Sequence, residues 1–227
     1  MSATWVLPPP PPALVAVDGT NARFPVRRIF CVGRNYLDHA LEMGGDPKTE
    51  PPFFFTKPAD AVVASGATIP YPPETADFHY EGELVVAIGL GGSRIALADA
   101  PAHIFGHAAG NDLTRRDLQA AAKAQRRPWD MAKGFDGSAV VGSIRPGALD
   151  PGAVLQLTVN GAVRQTSALS RMIWSVAEII ASVSRFVALA PGDLIMTGTP
   201  AGVGPLLRLD TCEVVITGLS AARVTIA

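Results

Sequence analysis

The chain has 227 residues, with 19 Lys and Arg against 20 Asp and Glu and a formal net charge of −1; no overall basic field points to nucleic acid. Hydrophobic residues make up 48% and charged residues only 17%, enough for one good core and for surface hidden in an oligomer. No run of about 18 uncharged apolar residues occurs, and no basic stretch with an apolar core opens the chain, so neither a membrane span nor a signal peptide is expected.

In chain order, five consecutive prolines, Pro8 to Pro12, predict an extended, stiff segment within an N-terminal arm, residues 1–22, packed on its own domain or on a partner. A single catalytic domain is expected over 23–227. Arg28–Gly33 reads as a buried strand. Asn35 is a good N-cap for a short helix over 36–43, closed by Gly44-Gly45. The stretch 44–52 is glycine, proline and charge, and reads as a loop. The apolar, β-branched run after Glu83, bounded by Gly89, reads as a strand. Thr114 and Asp117 suggest a capping box opening a helix over 115–127, stopped by Pro128. Val154–Val159, the turn Asn160-Gly161 and 162–165 form a hairpin signal. Ile173, Val176, Ile180, Val183 and Val187 fall at helical spacing within 170–189. Residues 212–217 and Ala222–Ile226 flank a Gly-Leu-Ser turn as a further strand pair. Helices among mainly antiparallel strands make a β-rich α+β domain. Cys31 and Cys212 lie in apolar contexts and read as buried free thiols of a cytoplasmic protein.

Several residues invite chemistry. Glu81 and Glu83 are separated by one residue, so on a strand their carboxylates share a face. Two negative charges that close need a cation or a shared proton between them, and oxygen ligands suit Mg²⁺ or Ca²⁺. The blander alternative is a solvated strand face. Asp112 is either a third oxygen ligand or a turn aspartate. His39 and Glu42, three apart on one helical face, fit a general base with its orienting carboxylate, or an exposed pair worth little. Lys133 and Lys57 are lysines in aromatic surroundings, either partnered by charge or snorkelling to the surface. The run from Thr197 through Thr199 to Gly204 offers hydroxyls and close-approaching amides to a carboxylate; without a Gly-Lys-Ser/Thr ending it is no phosphate loop. Arg115, Arg116, Lys123, Arg126 and Arg127 make one helix basic, read as a solvated face, with nucleic-acid contact the minor alternative.

Taken together and in order, Gly33-Arg34-Asn35-Tyr36-x-x-His39-x-x-Glu42, Phe-Phe-x-Lys57-Pro58, Glu81-x-Glu83, Asn111-Asp112, Trp129-x-x-Ala132-Lys133 and Gly198-Thr199-Pro200 resemble the fumarylacetoacetate hydrolase family, from about Arg23 onward. The resemblance implies a mixed β-sandwich roll, a homodimer, and Mg²⁺, Mn²⁺ or Ca²⁺ held by Glu81, Glu83 and Asp112. It implies that His39 and Glu42 activate water, that Lys133 and Thr199 contact substrate or metal, and that Gln119 binds substrate. The chain lacks the long N-terminal domain of the fumarylacetoacetate-cleaving members and has Val32-Gly33 where they place a further metal-binding aspartate. Residues 23–29 and 43–47 are similar to the fumarylpyruvate hydrolases. The implied reaction is cleavage of a 2,4-dioxo acid, fumarylpyruvate to fumarate and pyruvate, with Arg34 or Lys48 on the distal carboxylate and 44–52 as a lid. The alternatives are oxaloacetate decarboxylation, isomerisation or hydration of a 2-hydroxy-dienoate, and, more remotely, a non-catalytic metal-stabilised binding protein.

Overall fold

The computed structural model describes residues 6–38 and 51–227. Its centre is an eight-stranded mixed sheet. In spatial order it runs Phe53–Lys57, Arg28–Gly33, Asp193–Met196, Gly82–Ile88, Ile104–Asp112, Ala139–Val141 and Val62–Ala64, with Arg145–Pro146 also pairing with Ile104–Asp112. A five-stranded sheet, from the hairpin Val154–Val159 and Ala162–Ala168 through Thr211–Ile216 and Ala222–Ile226 to Ala67–Ile69, packs on one face. Among the described residues no helix is long and apolar enough to cross a membrane.

Alternation along the central strand places the core. Leu84, Val86 and Ile88 join Leu155, Leu157, Val214 and Ile216 between the two sheets. Val85 and Ala87 point the other way, onto Ile29, Cys31, Leu194 and Met196. A strand covered on both faces reads as a continuous apolar run, and every residue of Gly82–Ile88 is buried, which overturns a solvated strand face. Leu14–Ala16 pairs with Arg23–Pro25, bringing Val15, Val17 and Phe24 over that second face, while Pro8 to Pro12 are exposed.

The Asn-Gly hairpin forms, with Asn160 at φ 51° and Gly161 at φ 80°, the two left-handed residues of a type I′ turn. The helices expected over 115–127 and within 170–189 are both shorter, at Arg116–Ala124 and Val176–Val183. Arg116–Ala124 has no capping box: Thr114 belongs to a short strand and its hydroxyl bonds the Asp112 carbonyl, and Asp117 instead accepts from Thr75 Oγ1 and Ala76 N. The capping box sits at Ser175 and Glu178, opening Val176–Val183. Helix is excluded just before it because Ile173 N donates to the Asn35 carbonyl and Trp174 N to Asn35 Oδ1. Asn35 also donates to the carbonyls of Trp174 and Thr197, so it staples two loops together. Most of the helix expected over 36–43 lies outside the described residues.

Candidate active site

The antiparallel register of Gly82–Ile88 on Ile104–Asp112 sets Gly82 opposite Asn111. The pair one step out, Glu81 and Asp112, is closed by Asp112 N donating to the Glu81 carbonyl at 2.8 Å. Glu81, Glu83 and Asp112 therefore project from two adjacent strands onto the same face. All three are buried, and one ligand atom from each lies within 4.8 Å of the others. Asn111 points to the opposite face, where its amide donates to Cys212 Sγ at 3.3 Å while its oxygen accepts from Glu81 N.

Three cations meet the three acids. Lys133 Nζ lies 2.6 Å from Glu81 Oε2 and 2.8 Å from Asp112 Oδ2. Lys57 Nζ lies 2.7 Å from Asp112 Oδ1 and donates to the carbonyls of Leu113 and Lys133. The Arg116 guanidinium pairs with Glu81 Oε1 and reaches Gln119 Oε1 at 2.6 Å, and its Nε faces His79, which donates to Asp77. Burial alone would lower the Lys133 ammonium, but Asp112 and Glu81 override it and hold it above the usual lysine value. Burial, and then Asp112 and Glu81, push the Glu83 carboxyl well above the usual carboxylate range. Three buried carboxylates with one oxygen each within 4.8 Å of the others suit a hard divalent cation, so the residues present fit the implied metal.

The opposite wall is the turn after Asp193–Met196. Gly198 N donates to Glu83 Oε2 at 2.7 Å. Gly198 has φ 96°, and a Cβ there would lie 2.7 Å from Asn35 Cβ, so only glycine brings this amide to the carboxylate. Thr199 Oγ1 accepts from Gln165 Nε2 at 2.8 Å, and Gln165 Oε1 holds Gly82 N. One buried amide thus ties the Thr199 wall to the strand that carries the glutamates.

Glu81, Glu83, Arg116, Lys133 and Thr199 line a small cleft with Arg34, Gln119, Lys123 and Trp129. Arg34 is in the left-handed region at φ 58°, a strained backbone of the kind held at functional sites, with its guanidinium 5.8 Å from the Phe53 ring centre. Of the residues singled out in the sequence, Glu81, Glu83, Asp112, Lys133, Thr199, Arg34 and Gln119 come together here. His39, Glu42 and Lys48, and nearly all of the candidate lid, lie outside the described residues. Arg116 corrects the basic-helix reading: it is only 9% exposed and, with Gln119 and Lys123, forms an i, i+3, i+7 stripe facing the cleft. That spacing was the available signal. Lys57 is likewise no snorkelling lysine, at 1% exposed. Gln165 had no local signal at all. Both cysteines are buried and free, and burial pushes their thiols up, Cys212 to about 12, so neither is a nucleophile.

The profile of the family described as fumarylacetoacetate hydrolase, C-terminal, matches residues 28–227. The chain is 43% identical over 183 residues to a fumarylpyruvate hydrolase of a Ralstonia species, an alignment covering 80% of this chain and 95% of that relative. It is 40% identical over 200 residues to a mitochondrial oxaloacetate tautomerase of Mus musculus, covering 87% and 90%. The crystal structure of fumarylpyruvate hydrolase from Pseudomonas aeruginosa in complex with Mn²⁺ and pyruvate superposes with a TM-score of 0.95 at 47% identity, over 99% of both chains. A match over nearly the whole folded body, with the same β-rich architecture, means that the chain belongs to the fumarylacetoacetate hydrolase family.

Proposed function

We propose that this protein is a divalent-metal-dependent hydrolase that cleaves the carbon–carbon bond of an acylpyruvate, with fumarylpyruvate, giving fumarate and pyruvate, as the preferred substrate. The observation that carries the reading is the convergence of Glu81, Glu83 and Asp112 at the floor of a cleft that also holds Lys133 and Thr199. A divalent ion held by these three carboxylates would supply Lewis acidity toward a 2-oxo acid, stabilising negative charge at the 2-oxo oxygen. Mn²⁺ and pyruvate occur together in the Pseudomonas structure, which supports a 2-oxo acid as ligand.

The chain's own groups do the rest. Lys133, set between two carboxylates, stays protonated and acts as a hydrogen-bond donor to developing negative charge, a term worth a few kcal/mol. It is therefore not the base. That role falls to His39 with Glu42 behind it, taking a proton from the water that attacks the acyl carbonyl. The bond between that carbonyl and the adjacent methylene then breaks. Its electron pair goes to the pyruvate fragment, which takes up a proton, and the acyl fragment leaves as a carboxylate. Gln165 keeps the Thr199 hydroxyl aimed at the cleft. The low charge and apolar balance of the sequence support an oligomer, taken here as a homodimer, and the two free, buried cysteines support a reducing, cytoplasmic setting.

Pyruvate release from fumarylpyruvate, acetylpyruvate and oxaloacetate with Mg²⁺ or Mn²⁺, with and without EDTA, tests this. Metal-dependent cleavage strongest on fumarylpyruvate is expected, with His39→Ala reducing it on the order of a hundredfold or more. A second reading, enolisation or decarboxylation of oxaloacetate, draws on the likeness to the mouse tautomerase. Turnover of oxaloacetate without cleavage of either acylpyruvate would establish it instead.

A further inference from the structure

The hairpin strand Ala162–Ala168 lies at the edge of the five-stranded sheet, and Gln165 is its only buried residue. A break in register sets it there: Leu157 faces Gln165 while the next residue, Thr158, faces Val163, so Arg164 is extra. Such a bulge re-aims a side chain, and here it turns an amide inward between the two walls of the site. The glycine between the two glutamates makes room for that amide, since a Cβ at Gly82 would lie 3.3 Å from Gln165 Oε1. Gly202 does the same for the facing turn, where a Cβ would lie 2.5 Å from the Arg164 carbonyl oxygen.

Two partners leave this amide no choice of direction. Gly82 N can only donate, so it faces Oε1, at 3.0 Å; the Pro200 carbonyl can only accept, so it takes one Nε2 hydrogen, at 2.7 Å. The second Nε2 hydrogen goes to Thr199 Oγ1 at 2.8 Å. Thr199 lines the cleft, and its hydroxyl hydrogen meets no acceptor among the described residues. A hydroxyl that already accepts on one side has its hydrogen left to donate on the other. We propose that Gln165 is a positioning residue: from behind the cleft wall it fixes Thr199 as a hydrogen-bond donor to an oxygen of the 2-oxo acid. The strand that carries the glutamates thereby sets the polarity of the wall opposite. The ligand's identity rests on the acylpyruvate reading above, whereas the polarity rests on Gly82, Gln165, Thr199 and Pro200 alone.

The test compares Gln165→Glu with Gln165→Met. The first keeps the shape and the bond from Gly82 but reverses Thr199. If the new carboxyl is protonated, its one hydrogen goes to the Pro200 carbonyl, which has none to give; if it is ionised, it has none at all. Either way the Thr199 hydroxyl donates backwards and turns only lone pairs to the cleft. Gln165→Met removes all three bonds yet leaves the hydroxyl free to turn. In calorimetry with the Mn²⁺-loaded proteins, pyruvate should therefore bind about tenfold or more weaker to Gln165→Glu and about threefold weaker or less to Gln165→Met. Melting temperatures should fall in the opposite order, because Gln165→Met strands Gly82 N and the Pro200 carbonyl. In a Thr199→Val background both losses of affinity should shrink below about twofold. Losses that track the melting temperatures or persist in that background, or an unchanged affinity in Gln165→Glu, would overturn the proposal. Fumarylpyruvate cleavage by the wild type, measured alongside, keeps the two questions apart. If cleavage is absent while the order of pyruvate affinities holds, the reaction is wrong and the positioning role stands; a wild type that binds no pyruvate overturns both.

Discussion

The strand Asp193–Met196 carries a buried carboxylate at one end and runs into a cluster of buried carboxylates at the other, and the two ends are built on opposite principles. Asp193 has no exposed surface. It accepts from Arg28 Nε at 3.0 Å and Nη2 at 3.1 Å, from Arg27 Nη1 at 3.1 Å and from Ala190 N at 2.9 Å. One acid there meets more donors than it needs, and they pin the parallel pairing of Asp193 with Arg28. At the other end, where Gly198 and Thr199 follow the strand, three acids crowd within 4.8 Å and Glu83 is pushed toward protonation. A carboxylate satisfied by its own protein holds a fold. Carboxylates crowded together hold something else, at a cost to the metal-free fold.

That contrast can be broken from either side. The largest effect should come from Glu83→Gln, which removes one donor of the cluster while its amide oxygen can still accept from Gly198. Activity should fall about a thousandfold or more, roughly 4 kcal/mol in the barrier, while the melting temperature in EDTA stays the same or rises. A clear drop in that melting temperature would show that Glu83 is structural like Asp193. Asp193→Ala should do the reverse, losing about 3 kcal/mol of stability in denaturant titrations with kcat and metal affinity kept. An active-site defect in the folded variant would mean that the two ends of the strand are coupled.

Metal addition sharpens the comparison. Mn²⁺ at about a hundred times its Kd should stabilise the wild type by about 2.7 kcal/mol, a rise of roughly 5–10 °C in Tm. Asp193→Ala should show the same increment and Glu83→Gln almost none; an equal shift in all three would place the ion elsewhere. The smallest effect concerns His107, whose imidazole burial, and then Arg145, hold below its ordinary value, although a bond to the Gly147 carbonyl opposes this. Its contribution to stability is complete above about pH 6.5 and is lost as pH falls toward the depressed value, because the unfolded chain takes up the proton first. His107→Gln should flatten that part of the stability curve and leave the Glu83 and Asp193 effects unchanged. An unaltered acid slope would assign it to the carboxylates.

Much of this was legible in the sequence because it depends on neighbours along the chain. The i, i+2 placement of Glu81 and Glu83, the Asn160-Gly161 turn and the apolar run 84–88 are local patterns, and each has its expected counterpart in the fold. The helix ends were less legible. Thr114 and Asp117 have capping-box chemistry, yet both are recruited by Asp112, Thr75 and Ala76, and the working box lies at Ser175 and Glu178. Tertiary partners outcompeted a local preference worth only about 1 kcal/mol. The basic helix was misread for the same reason: Arg116 is silent until Glu81, 35 residues away, is placed against it.

The sequence alone offered Glu81 and Glu83 as two carboxylates on one face of a strand, with Lys57 and Lys133 as cations in need of partners, because side-chain alternation is a property of one strand. Only the tertiary structure decided that Asp112 joins Glu81 and Glu83, that Lys57 and Gln165 brace them, and that Lys123 faces the same cleft. Those meetings depend on the register between strands and on where a helix lands. A slip of one residue would send each side chain to the other face of the sheet, and no pattern within a single segment records it.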